Sequence, residues 1–295
     1  MTEFSQQLIN CISLGGTYAL IALGLALVDS ILHLVNFAHG EILTLSGYSM
    51  LGLAALGLPW VVFAPLGIVT GLVVALLMER FAFRKVRNTS ENTMLLTSFG
   101  LSIIIQALIQ MLVSPRPKSI AQPAWLTQAI HIGSVTIQAR QILTIMITIL
   151  ALVLLLLLLK RTNMGIAMRA AAEDFNATRL MGVSANGVIA IAFAISGLLA
   201  GMAAVLTLTV RGSVDPGMGV KFTLMAFVAN AIGGIGNLLG AVAGGFLLGF
   251  MEVILRVWLP ASISGFTDGF LFFLVALILI FRPKGLFGIT QAERV

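Results

Sequence analysis

The chain has 295 residues, 59% hydrophobic and only 9% charged, with a formal net charge of +6 and a mean hydropathy of +1.08. A soluble domain carries about 25% charged residues, so this composition excludes one and describes a polytopic membrane protein. The lone cysteine, Cys11, excludes an internal disulfide and a cysteine-based metal cage. The positive charge sits mostly in loops, where it bears on topology and anionic lipid headgroups rather than on nucleic acid.

Taken in order, the opening MTEFSQQLIN lacks a basic region and a small-residue cleavage site, which predicts that no signal peptide is removed. Leu8–Val28 is the first candidate span, with Gly15, Gly16 and Gly24 offering small faces for packing, and Asp29 is expected to end it. Ile31–Leu56 follows, interrupted by Asn36, His39, Gly40 and Glu41, and then Trp60–Phe83, which runs into the basic cluster Arg80, Arg84, Lys85 and Arg87. Met94–Val113 leads to a polar loop over 114–140 that carries Pro115, Pro117 and Pro123 and is expected to be periplasmic. Gln141–Leu159, Gly187–Val210, Phe222–Gly236, Leu238–Leu259 and Gly265–Phe281 complete the apolar stretches. A crossing takes about 20 residues of helix.

The predicted fold is therefore an all-α transmembrane bundle forming one domain over residues 1–295. It has eight or nine crossings, with one or more helices broken or re-entrant at the glycines of 233–240 or in the first span. Placing Arg87, Lys160 and Arg282 on the basic, cytoplasmic side requires an even number of crossings between them and puts the N-terminus outside.

Between two uncharged spans lies a segment that cannot sit in lipid, because each charge there costs roughly 2.5–3.5 kcal/mol. It holds Lys160, Arg161, Arg169, Glu173, Asp174 and Arg179. Met168, Ala171, Ala172 and Phe175 recur at helical spacing, which predicts one short amphipathic helix stopped by Gly182 as a C′ glycine. Two readings of residues 161–186 stay open on spacing alone. One is a lever that takes force from a soluble partner, and the other is a solvated or headgroup-bound linker.

The stretch NFAHGEILTLSGY, Asn36–Tyr48, is the most unusual embedded polarity, since Asn36, His39 and Glu41 must face the bundle interior, a wet path or headgroups. It is read either as the lining of a permeation path or as polar glue between helices. GGIGNLLGAVAGG, Gly233–Gly245, lacks the strand–helix surround and the Lys-Ser/Thr pair of a phosphate loop. Close packing of broken helices explains it better, with Asn230 three residues before it. No constellation supports a catalytic residue, a metal site or a cofactor, and His39-Gly-Glu41 lacks a second histidine at ligand spacing.

Together, SLGGTYALIALGLALV, LVNFAHGEILTLSGY, ERFAFRKVR, MGIAMRAAAEDFNATRLMGVSANGVIAIAFAISGLLAG, AFVANAIGGIGNLLGAVAGGFLLGFME and RPKGLFG carry a resemblance over nearly the whole length. The chain resembles the permease subunits of bacterial ABC importers for branched-chain amino acids, the LivH-like branch. The resemblance implies a multi-pass inner-membrane subunit that is not itself an enzyme. Its implied partners are a second, LivM-like permease, two ATP-binding subunits, a periplasmic substrate-binding protein and membrane lipid. It places Arg169, Glu173, Asp174, Arg179 and Gly182 in a coupling loop, and Asn36, Phe37, His39, Gly40, Glu41, Asn230, Gly233 and Gly234 along the path. Asp29-Ser30 stands where the family usually has an aromatic–glycine pair, and Asn230, Arg211 and Lys221 also depart from its pattern. Those departures suit a more polar cargo than leucine, with urea or a short amide as a further alternative, although Phe37 stands where a urea branch tends to have methionine. A stand-alone ion-coupled transporter with Asp29, His39 and Glu41 as a relay is the reading from another class.

Overall fold

The computed structural model describes residues 2–32, 36–87, 89–132 and 135–288. The first apolar stretch is one helix, α1 (Thr2–Leu32), and it runs through Asp29 rather than ending there. Ser30 returns its hydroxyl to the Leu27 carbonyl at 2.9 Å, so this hydroxyl is absorbed within the helix. The other elements arrange themselves around α1: 89% of its most apolar window is buried, against 11% for the last span. Its small face explains the intimacy, since Gly15 lies against Phe246 and Gly249 where any side chain would collide.

Ile31–Leu56 is not a single span. Its start belongs to α1, and a separate helix, α2 (His39–Ala55), begins inside the bundle. The depth of that start follows from its neighbours: the His39 ring lies against Gly24, eight residues before the end of α1. The chain turns back through α3 (Trp60–Met78), a π-helical turn Glu79–Phe83 and α4 (Arg84–Val86). It then rises through α5 (Glu91–Leu112), capped by Ser90, and descends through α6 (Ala139–Arg161). After α7 (Asn163–Glu173) and α8 (Phe175–Leu180), the passages are α9 (Ala185–Arg211), α10 (Met218–Gly233), α11 (Leu238–Trp258) and α12 (Thr267–Phe281). Among the described residues, seven helices are long and apolar enough to span, and α2 and α10, of 17 and 16 residues, are the short ones.

The loop over 114–140 is more ordered than its polarity predicts. Strand β1 (Lys118–Ser119) pairs antiparallel with β4 (Ser213–Val214), and β2 (Ala129–Ile132) with β3 (Val135–Gln138). Trp125 meets Trp60 edge-on at 5.4 Å, and Gln6 accepts from the Thr136 amide at 3.0 Å, so this loop and the start of α1 share one end of the bundle. The opposite end gathers Arg80, Arg84, Lys85, Arg87, Lys160, Arg161, Arg169, Arg179, Arg282 and Lys284. Such an excess of basic residues at one end is what the positive-inside bias expects of a cytoplasmic face.

Candidate functional site

Around the start of α2, each polar side chain reaches a different neighbour. Asn36 is buried, and its Oδ1 accepts from the Ala38 amide at 3.0 Å while its carbonyl accepts from His39 at 3.1 Å. It thus builds the turn that launches the helix. Phe37 stacks on Phe99 of α5 at 4.1 Å, touches Phe227 of α10, and donates its amide to Ser98. His39 directs Nδ1 to Ser196 of α9 at 3.3 Å. The Gly40 amide donates to Thr223 of α10 at 2.8 Å. Glu41, fully buried, takes Ser102 and Gln106 of α5 on one oxygen at 2.8 and 2.9 Å.

Two residues apart on a helix are about 200° apart around it, so His39 and Glu41 reach opposite sides. The α2 terminus is consequently pinned to α1, α5, α9 and α10 together. Gly40 is the tightest point: a Cβ there would overlap the Gly219 carbonyl and the Thr223 hydroxyl, and one on Gly219 would overlap Gly40.

Truncating Glu41 to alanine takes the acceptor from the buried Ser102 hydroxyl, which then keeps only the Gln106 amide that donates to it at 2.9 Å, a cost of about 1–3 kcal/mol. We expect Glu41→Ala to lower the unfolding midpoint in detergent clearly more than Glu41→Gln, which retains an acceptor; equal midpoints would dismiss the network as a stabilising element.

Asn230, Gly233 and Gly234 lie further along α10. Gly233 is 10–14 residues beyond the Gly219–Thr223 crossing, which is about 15–21 Å of helix. Asn230 is buried, with its Oδ1 lacking a hydrogen-bond partner. Gly233 packs on Gly240 in a tight α10–α11 turn, and Gly234 has φ +106°, open to glycine. The terminal RPKGLFG closes that turn: Leu286 and Phe287 donate amides to the Ile232 and Gly233 carbonyls at 2.7 and 3.0 Å. The eight path candidates therefore divide between a central cluster and an inner turn.

At the basic end, the single amphipathic helix expected over this segment is two. Thr162 caps α7 through the Gly165 amide, and Asp174 ends α7 and caps α8 through the Ala177 amide at 2.9 Å. Met168 and Ala171 are buried, and α7 rests on α1, α6 and α9. Arg169, Glu173, Asp174 and Arg179 are exposed, and Gly182 has the left-handed φ of +83° expected of a helix stop. Beside it, Leu180 and Met181 stand 88% and 85% exposed. Arg87 of the α3–α5 connection hydrogen-bonds Asn186 at the start of α9.

One polar centre escaped the motif reading. In α11, Glu252 is fully buried, accepts from the Tyr18 hydroxyl of α1 and pairs with Arg256 four residues on. A carboxylate inside the apolar run FLLGFMEVILRVW was its available signal.

The profile of the family described as branched-chain amino acid transport system / permease component matches residues 7–281. This chain belongs to that family. The permease is 34% identical to the high-affinity branched-chain amino acid transport system permease protein BraD of Pseudomonas aeruginosa, over 99% of this chain and 98% of that one. It is 33% identical, with the same coverage, to the corresponding LivH of Escherichia coli K12. A probable branched-chain amino acid transport permease protein LivH of Methanocaldococcus jannaschii is 27% identical over 92% of this chain and 88% of its own. As a permease component, this multi-pass protein of the bacterial inner membrane is one part of a transport system.

Proposed function

We propose that the permease is one half of the membrane channel of an ATP-driven importer for branched-chain or related amino acids. Its partners would be a second, LivM-like permease, two ATP-binding subunits and a periplasmic binding protein. The whole chain acts as one permease domain, with the 114–140 loop facing the periplasm and residues 161–186 facing the ATP-binding subunits. The observation that carries this reading is the likeness to BraD and LivH over 98–99% of both lengths.

The structure is compatible with the division of labour. An exposed α7–α8 pair seated on three long helices is a rigid element through which a soluble motor can tilt the bundle. Arg169, Glu173, Asp174, Arg179 and Gly182 form its outward surface. In this reading Phe37, His39, Gly40 and Glu41 hold the segment that alternates, Asn36 shapes its turn, Asn230 presents an amide along the path, and Gly233 and Gly234 hold the inner turn. An ion relay through His39 and Glu41 is less well supported, because among the described residues their hydrogen bonds lead to different helices.

Co-purification with the neighbouring subunits, followed by ATPase assays in lipid discs with the binding protein and a panel of leucine, valine, polar amino acids, short amides and urea, tests the reading. Stimulation by one cargo is expected, and the double variant Arg169→Ala with Glu173→Ala should lose most of that stimulation. Full stimulation in the double variant would remove the coupling assignment; ATP-independent solute movement by the chain alone would overturn the importer.

A further inference from the structure

The outer end of the permease holds a cavity of about 410 Å³ beside α1, bounded by α6, α9, α10 and α11. That volume lies within the range of small-molecule sites, about 300–1,000 Å³. Arg140, Arg211, Lys221 and Arg256 line it, and no carboxylate does among the described residues. Three of these cations are already paired, Arg211 with Asp215 at 3.6 Å, Lys221 with Asp268 at 2.7 Å and Arg256 with the buried Glu252, so the lining keeps an excess of positive charge through Arg140. Arg140 makes no ion pair among the described residues, and Arg211 is steadied over the Phe222 ring at 5.5 Å.

Inside, Thr207 is 5% exposed and its hydroxyl has no hydrogen-bond partner, although it faces this cavity. A buried hydroxyl without a partner is costly unless something fills the space before it. Leu14, Leu206, Phe222 and Val253 supply apolar wall beside the cations. The cavity thus offers positive charge and a free hydroxyl for one end of a solute and an apolar surface for the rest. A carboxylate is the group that accepts from arginine forks and a hydroxyl together.

We propose that this outer vestibule binds a solute through its carboxylate, with a small apolar body against α1 and α10, before the solute passes deeper into the bundle. This deepens the importer reading and rests on it for the direction of passage only. The binding chemistry belongs to the chain whether or not ATP drives it.

The test uses the full chain in phosphatidylcholine discs, with Val210→Cys as a reporter in a Cys11→Ser background. Val210 lines the cavity and is exposed, whereas Cys11 is buried. Labelling rates with sulfonatoethyl and trimethylammonioethyl methanethiosulfonate are compared, each normalised to a free thiol. Excess positive charge lining a cleft raises the local concentration of anions, and with Arg140 unpaired among the described residues the anionic reagent should label severalfold faster. Arg140→Gln should shrink the lead without stranding a carboxylate.

L-leucine and 4-methylpentanoate should each slow labelling severalfold, and L-leucinamide should not. A normalised ratio near unity overturns the site, as does equal protection by the amide. Repeating the assay with phosphatidylglycerol in the discs separates the two sources of an anion: protection by that lipid with none by the carboxylates would assign the cavity to a headgroup and sink the solute proposal. Asn10→Cys is a second reporter in the same lining, should Val210→Cys fold poorly. Loss of ATP-driven uptake in the assembled complex would count against the importer alone.

Discussion

Gly40→Val is expected to abolish transport and to leave little folded protein in the membrane. At the α2–α10 crossing the two backbones meet through Gly40 and Gly219, and the amide of Gly40 is held by Thr223 at 2.8 Å. The atoms that a side chain would strike are a backbone carbonyl and a hydroxyl anchored between two helices, so local side-chain movement cannot relieve the overlap. Ordinary overpacking in a core costs about 1–3 kcal/mol, and separating two helices at their closest point should exceed that. The whole polar cluster would be disturbed with it, since Phe37, His39 and Glu41 are positioned by the same turn. Even Gly40→Ala and Gly219→Ala should lower the unfolding midpoint by many degrees. Gly52→Ala is the control: it lies in the same helix with open space around it, and replacing a helical glycine by alanine gains about 0.5–1 kcal/mol. If Gly40→Ala and Gly52→Ala behave alike in thermal unfolding and uptake, the crossing is not the constraint described.

Arg256→Met should destabilise the permease by about 3–5 kcal/mol, the usual consequence of leaving a buried charge without its partner. Glu252 is fully enclosed between α1 and α11, and its acceptors are divided between the Tyr18 hydroxyl and the Arg256 guanidinium. Arg256 itself is largely exposed, so its own removal costs little; the penalty falls on the carboxylate left behind. The sign of the effect is therefore checkable by repair. Glu252→Gln with Arg256→Met should recover most of the lost stability, because an amide still accepts from Tyr18 and carries no charge. A double variant no more stable than Arg256→Met would show that the guanidinium stem, not the charge, is what α11 needs.

Hydropathy made the apolar passages legible because lipid and protein interior both select apolar side chains, but it could not tell which of the two a given helix faces. Asp29 illustrates this: read against lipid it ends a span, yet in the core of the bundle α1 continues past it to Leu32. The same ambiguity merged the end of α1 with α2 into one stretch, although Asn36 to Glu41 correctly marked where the chain is interrupted. Gly182 was readable as a stop because a left-handed residue has a local signature. Asp174 was not, because a capping carboxylate and a solvated one have the same spelling, and only the Ala177 amide distinguishes them. Within the candidate site, residue types pointed to α2, but the partners Ser102, Gln106, Ser196 and Thr223 come from three other helices that no spacing rule connects.

The clasp of residues 286–287 on the carbonyls of Ile232 and Gly233 sets an order of events during synthesis. When α10 and α11 leave the ribosome, the turn between them has two carbonyls awaiting donors that lie some 50 residues downstream, beyond α12. The hairpin can insert, but it cannot lock until the last membrane passage has threaded and the tail has folded back beneath it. Translation arrested before Leu286 should leave an inserted yet unlatched hairpin, so that Leu286 and Phe287 serve as the seal on a structure begun much earlier.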